Sequence, residues 1–132
     1  MEQHSLYVIG GEDEEQILIV QNRDGDSCRL TCTVRGETHH ADASDFFSAL
    51  QRIRKRALEP KGLVPFCYGA SLKVWPSAMS RDMRGGLKAY KLEMGVQARQ
   101  LVGIFEEGPD IIPSSVATQE EFAREWFDSL GK

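Results

Sequence analysis

A chain of 132 residues with 41% apolar content is long enough to fold as one domain around a real core. No apolar run approaches the ~18 residues a membrane-crossing helix needs, and a net charge of −4 argues against a nucleic-acid binder. Three cysteines are an odd number, and Met1-Glu2-Gln3-His4 lacks the basic and apolar zones of a signal peptide, so reduced thiols and a cytoplasmic location are expected.

The predicted elements begin with a strand over Leu6–Ile9, ended by Gly10-Gly11, and a second over Ile17–Val20. Asp24-Gly25 between them and the next strand suits the positive φ of a tight hairpin turn. After it Cys28, Leu30, Cys32 and Val34 alternate with Arg29, Thr31, Thr33 and Arg35, the period of a half-buried strand. A helix is expected from Asp42 or Ser44 to Leu58, with Phe46, Phe47, Leu50, Ile53 and Ala57 as its inner face. Arg52, Arg54, Lys55 and Arg56 crowd its C-terminal end, where cations suit the helix dipole, and Pro60 and Gly62 stop it. Leu63–Tyr68 and Leu72–Trp75 read as strands. Ser77–Arg84 reads as a short helix closed by Gly85-Gly86. Strands over Leu87–Met94 and Leu101–Phe105 follow, then a polar loop, Glu106–Ser115. The last helix is expected to open on a Thr118/Glu121 capping box with Ala117 and Phe122 as a staple, and to bury Phe122, Trp126, Phe127 and Leu130. The sum is a single α+β domain: a mainly antiparallel sheet, two long helices packed on it and one short helix.

Charge is unevenly spread. Residues 1–50 hold ten acids against three bases, residues 51–105 eleven bases against three acids, and residues 106–132 seven acids against two bases. Such segregation either neutralises itself across the fold or presents a charged face to a partner.

The chemistry-bearing residues form no complete catalytic set. Cys28 and Cys32 lie too far apart along a strand, roughly 13 Å, to share a metal ion. The adjacent His39 and His40 read as an exposed polar connection, so no metal site is expected. Cys67 before Tyr68-Gly69 lacks an adjacent base and reads first as a core thiol. Ser71 and Ser80 lack the G-x-S-x-G or S-x-x-K context of an activated serine. Arg81-Asp82-Met83-Arg84-Gly85-Gly86 offers donors suited to recognition, or simply an Arg–Asp surface pair with a glycine stop. Glu12-Asp13-Glu14-Glu15 after Gly10-Gly11 is an acidic turn that would repel phosphate.

In size, charge and architecture the chain resembles the small acidic α+β immunity proteins with which bacteria neutralise secreted or contact-delivered toxins. That resemblance implies a cytoplasmic, non-enzymatic protein without a cofactor that binds one toxin domain and blocks its active site. The expected contact surface combines Glu12, Asp13, Glu14, Glu15, Trp75, Arg81, Asp82, Arg84, Glu106, Glu107 and Asp110. Two other classes stay open. One is an enzyme or ligand-binding domain acting on an anionic small molecule through Cys67, Arg81 and Arg84, with Tyr68. The other is a nucleic-acid-binding module using Arg52, Arg54, Lys55, Arg56 and Lys61 with Tyr68 or Trp75 for stacking.

Overall fold

The computed structural model describes residues 2–131, apart from the side chain of Arg84. It is an α+β fold with two antiparallel sheets. The first is built from β1 (Glu2–Ile9), β2 (Gln16–Asp24), β3 (Ser27–Val34), β4 (Glu37–Ala43) and the short β5 (Val64–Pro65), in the order β4-β3-β2-β1-β5. Its first four strands form a meander. The β2–β3 hairpin turns at Gly25, φ 60°, with Asp24 opposite Ser27. The β3–β4 turn uses Arg35 and Gly36, both at positive φ, the backbone that matches the right-handed twist of a two-residue hairpin.

β4 corrects the sequence reading, which left this stretch as a connection. His39 and His40 sit on this edge strand, paired opposite Cys32 and Thr31. The segment Glu37–Ala43 is polar on both sides of its alternation except at Ala41 and Ala43, too little of a hydrophobic period to announce a strand. Backbone pairing to β3 holds it in place. The inner face of the meander is Leu6, Val8, Ile17, Ile19, Cys28, Leu30, Cys32 and Val34, all buried.

α1 (Phe46–Ile53) lies against this face. Its N-cap is Asp45 rather than either expected cap, Asp42 or Ser44, and the carboxylate accepts from the Ser48 amide at 2.8 Å. Phe46, Phe47, Ala49, Leu50 and Ile53 are all buried. The helix continues through a π turn, Arg54–Leu58, and a 3₁₀ turn, Glu59–Lys61, before Gly62 ends it in the left-handed region.

The second sheet has the order β6-β7-β8, from β6 (Val74–Trp75), β7 (Lys88–Lys91) and β8 (Leu101–Gly103). Between β6 and β7 runs α2 (Ala78–Arg84), capped by Ser77 and closed by Gly85 at φ 61°. α3 (Val116–Leu130) completes the fold. Its cap is Ser115, which accepts from the Thr118 amide at 3.2 Å, so the helix starts a turn earlier than the Thr118/Glu121 box suggested.

The inner face of α3 also differs from expectation. Its buried residues are Val116, Gln119 and Ala123; Phe122, Trp126 and Leu130 are half-buried, and Phe127 is 71% exposed. The helix docks largely through polar bonds to the end of α1. The buried Arg54 guanidinium donates to Gln119 Oε1 at 2.5 Å, to the Ser114 carbonyl at 2.6 Å and to the Gly69 carbonyl at 3.2 Å. Glu59 accepts from the Val116 amide at 2.8 Å, and Gln119 Nε2 donates to the Val74 and Gly69 carbonyls. No helix among the described residues is long and apolar enough to cross a membrane.

Candidate functional site

The segment from Leu63 to Leu92 is rich in Gly, Pro, Arg and aromatic residues, and the fold spends several of them on holding itself together. Arg81 is the clearest case. Its Nη1 donates to both carboxylate oxygens of the buried Asp45, at 3.3 and 3.2 Å, and to Ser48 Oγ at 2.8 Å. The same guanidinium lies over the rings of Phe47 and Trp75, at 5.3 and 5.7 Å. Trp75 meets Phe47 edge-on, with centroids 5.2 Å apart. The C-terminal end of α2 adds a backbone bond from the Phe46 amide to the Gly85 carbonyl at 2.7 Å. A side chain at Gly86, φ 71°, would collide with Asp45 Oδ1, so only glycine lets the chain pass this close to α1. α2 is thereby locked onto the start of α1.

That lock leaves the outer face of α2 bare. Met79 is 69% exposed and Met83 76% exposed. Beside them the second sheet contributes a cross-strand row, Trp75 opposite Tyr90 and Tyr90 opposite Leu101. Met79, Met83, Tyr90 and Leu101 line one shallow depression together with Ser77 and Ser80. A second depression, of about 360 Å³, lies between Trp75 and α3, lined by Glu120, Ala123, Arg124, Trp126 and Phe127.

The acidic candidates divide in the same way. Glu12, Asp13 and Glu14 are exposed, whereas Glu15 closes its own turn. Its carboxylate takes a two-pronged bond from Arg35, at 2.7 and 2.9 Å, and a bond from the Glu12 amide. These hydrogen bonds, Arg35's first, hold the Glu15 carboxyl down at about 2. Glu106 pairs with Lys88 at 3.5 Å, and Glu107 is exposed. Asp82 is exposed on α2; the side chain of Arg84 lies outside the described residues.

Asp110 belongs to a polar cluster that the sequence did not reveal. Lys91 Nζ approaches its Oδ2 at 2.7 Å, and the Tyr68 hydroxyl donates to its Oδ1 at 2.6 Å. These two bonds hold the Asp110 carboxyl below its ordinary value, and the carboxylate raises both Lys91 and Tyr68 above theirs. The cluster sits at the wall of an open cavity of about 470 Å³ that also takes in Lys73, Arg99, Gln97 and Glu93. Its parts come from residues 68, 91 and 110, a separation along the chain that no local spacing could betray.

Cys67 and Arg81 do not form one constellation, since Arg81 is committed to Asp45 and Ser48. Cys67 is fully enclosed, its backbone neighbours being the Tyr68–Ala70 turn, and burial pushes its thiol up to about 11. A thiol held protonated in this way is a poor nucleophile. Cys32 is likewise pushed to about 11 by burial. Among the described residues no group of three or more His, Cys, Asp or Glu side chains is arranged to hold a metal ion. The basic run is divided, with Lys55 and Arg56 exposed side by side and the others engaged. Arg54 is interior, Arg52 donates to the Asp42 carbonyl, and Lys61 pairs with Glu37 at 3.0 Å.

Comparison with known proteins adds no family: no family model matches the chain, and no curated protein matches it.

Proposed function

We propose that the chain is a non-enzymatic protein-binding inhibitor: a bacterial immunity protein that acts in the cytoplasm and neutralises a cognate toxin by covering its active site. One observation carries the reading. α2 is fastened to the core through Arg81, Asp45 and the glycine pair, yet presents Met79 and Met83 outward at 69% and 76% exposure. A rigid helix bearing two exposed flexible thioethers beside Tyr90 and Leu101 gains little in the free chain and offers an adaptable apolar contact to a partner. In this reading Arg81 is a support beneath the contact surface and the half-buried Trp75 stands at its edge, while Asp82, Glu12, Asp13, Glu14 and Glu107 supply exposed negative charge that steers a basic toxin domain.

The experiment is affinity purification from the native host with the wild-type chain as bait, followed by surface plasmon resonance against the recovered toxin. Met79→Glu with Met83→Glu should weaken binding by at least about a hundredfold, as expected for losing the centre of an interface. Failure to recover any toxin, or unchanged affinity of the double variant, overturns the reading.

A second reading, a binding domain for an anionic small molecule, has the cavity around Tyr68, Lys91 and Asp110 in its favour, with Lys73 and Arg99 on its wall. Calorimetry with small carboxylates and phosphates, repeated on Lys73→Ala and Arg99→Ala, tests it.

A further inference from the structure

The groove between α3 and β6 holds the chain's most anomalous aromatic residues. Phe127 stands 71% exposed on a helix whose docking is carried by Arg54, Gln119 and Glu59 rather than by its aromatic side chains. The groove's other aromatic walls are fixed in place. Trp126 Nε1 donates to the Val96 carbonyl at 2.9 Å, and Ser129 Oγ takes the Gly95 amide at 2.8 Å, so the 95–96 turn is fastened to the end of α3. Trp75 is held by its edge contact with Phe47. Rigid aromatic walls around an open space of about 360 Å³ make a seat for one or two large apolar side chains.

Charge identifies what comes with those side chains. Glu121, Glu125 and Asp128 recur at helical spacing along the exposed flank of α3, one stripe round from Arg124 and Phe127. Among the described residues none of the ion pairs uses them. Like charges one turn apart work against an isolated helix, and within α3 Arg124 alone is basic, at helical spacing from Glu121 and Asp128. Glu120, on the groove wall itself, adds a fourth carboxylate against the single Arg124.

We propose that this groove docks a basic segment of a protein partner, with a large apolar side chain seated among Trp75, Trp126 and Phe127 and its Lys or Arg residues along Glu121, Glu125 and Asp128. The inference deepens the inhibitor reading by naming the chemistry of what the toxin must present, and it rests on that reading only for the partner's identity. The opposed charges guide the segment in, and the aromatic seat retains it.

The test needs no toxin, so its failure leaves the inhibitor reading standing. A random peptide display library is selected on the wild-type chain and counter-selected on Phe127→Ser. The enriched peptides should be basic with one or two large apolar residues, and should quench tryptophan fluorescence on titration. Phe127→Ser should weaken the consensus peptide at least about tenfold, the loss of a central contact. Glu125→Lys with Asp128→Lys should weaken it comparably at low salt and less at high salt, while Asp24→Lys in the β2–β3 hairpin leaves it unchanged. No enrichment over Phe127→Ser, an acidic or uncharged consensus, or binding insensitive to the α3 charges overturns the proposal. So does a concentration-dependent dimer abolished by Phe127→Ser, which would make a second copy of the chain the occupant.

Discussion

α1 and α3 are the two long helices of the fold, and they use aromatic residues in opposite ways. α1 buries Phe46 and Phe47 against the meander, with Trp75 and Arg81 packed on Phe47. α3 leaves Phe127 in solvent and reaches the core mainly through Val116, Ala123 and the polar side chain of Gln119. The difference lies in what each helix packs on. A sheet face of Ile, Leu, Val and Cys rewards apolar area, whereas the end of α1 offers a buried guanidinium and a carboxylate that demand hydrogen-bond partners. A helix docked by hydrogen bonds is free to turn its aromatic side outward, and that side then becomes available to a partner.

Paired truncations test this contrast most strongly. Phe47→Ala should cost about 3–5 kcal/mol of stability, as for a fully buried phenylalanine, while Phe127→Ala should stay within about 0.5 kcal/mol. Urea denaturation of both variants measures it, and equal losses would erase the distinction between the helices.

Next comes the joint between them. Arg54→Ala strands Gln119 Oε1 and the Ser114 carbonyl in the interior, while the Gly69 carbonyl keeps its bond from Gln119 Nε2; at about 1–3 kcal/mol for each group left unpaired, a loss of about 3 kcal/mol is expected. A loss below about 1 kcal/mol would mean α3 docks by its apolar contacts after all.

Arg81→Ala should have a smaller effect, about 1–2 kcal/mol, because Asp45 keeps its bonds to the Ser48 amide and hydroxyl. Faster amide exchange confined to α2 would place the loss where the lock acts; exchange spread over the whole chain would contradict it.

The smallest effect is pH-dependent and lies outside both helices. The folded Glu15 carboxyl sits at about 2 against an ordinary 4.5. Its pairing with Arg35 therefore stabilises the fold fully above the ordinary value and loses that contribution as pH falls from there to about 2. Arg35→Gln should be less stable than the wild type at neutral pH, with the gap closing over that acid range. A gap independent of pH would assign Arg35 a packing role instead.

The same contrast explains what the sequence could disclose. The alternation of Cys28, Leu30, Cys32 and Val34, the Asp-Gly hairpin and the spacing of Phe46, Phe47, Leu50 and Ile53 are local patterns, and the meander and α1 follow them. β4 has too little apolar period, and only the Arg35-Gly36 pair hints at a turn before it. The aromatic period of α3 was legible, but periodicity shows which residues share a face and not whether that face is covered. Arg54 illustrates the same limit from the other side: within a run of bases at a helix end it reads as a solvated cation, and only the fold brings Gly69, Ser114 and Gln119 around it. For the candidate surface, the sequence pointed to the segment Trp75–Gly86 but not to the division of labour within it, in which Arg81 faces inward and Met79 and Met83 face out.

The central claim is that this outward face binds and inhibits a toxin. Its most direct test is the dissociation constant for that toxin, measured by surface plasmon resonance with the wild type and with Met79→Glu/Met83→Glu, after thermal melts confirm that both are folded. The account predicts tight binding by the wild type, loss of toxin activity in the complex, and affinity reduced at least about a hundredfold in the double variant. Equal affinity of the two proteins, or a complex in which the toxin stays active, would contradict it.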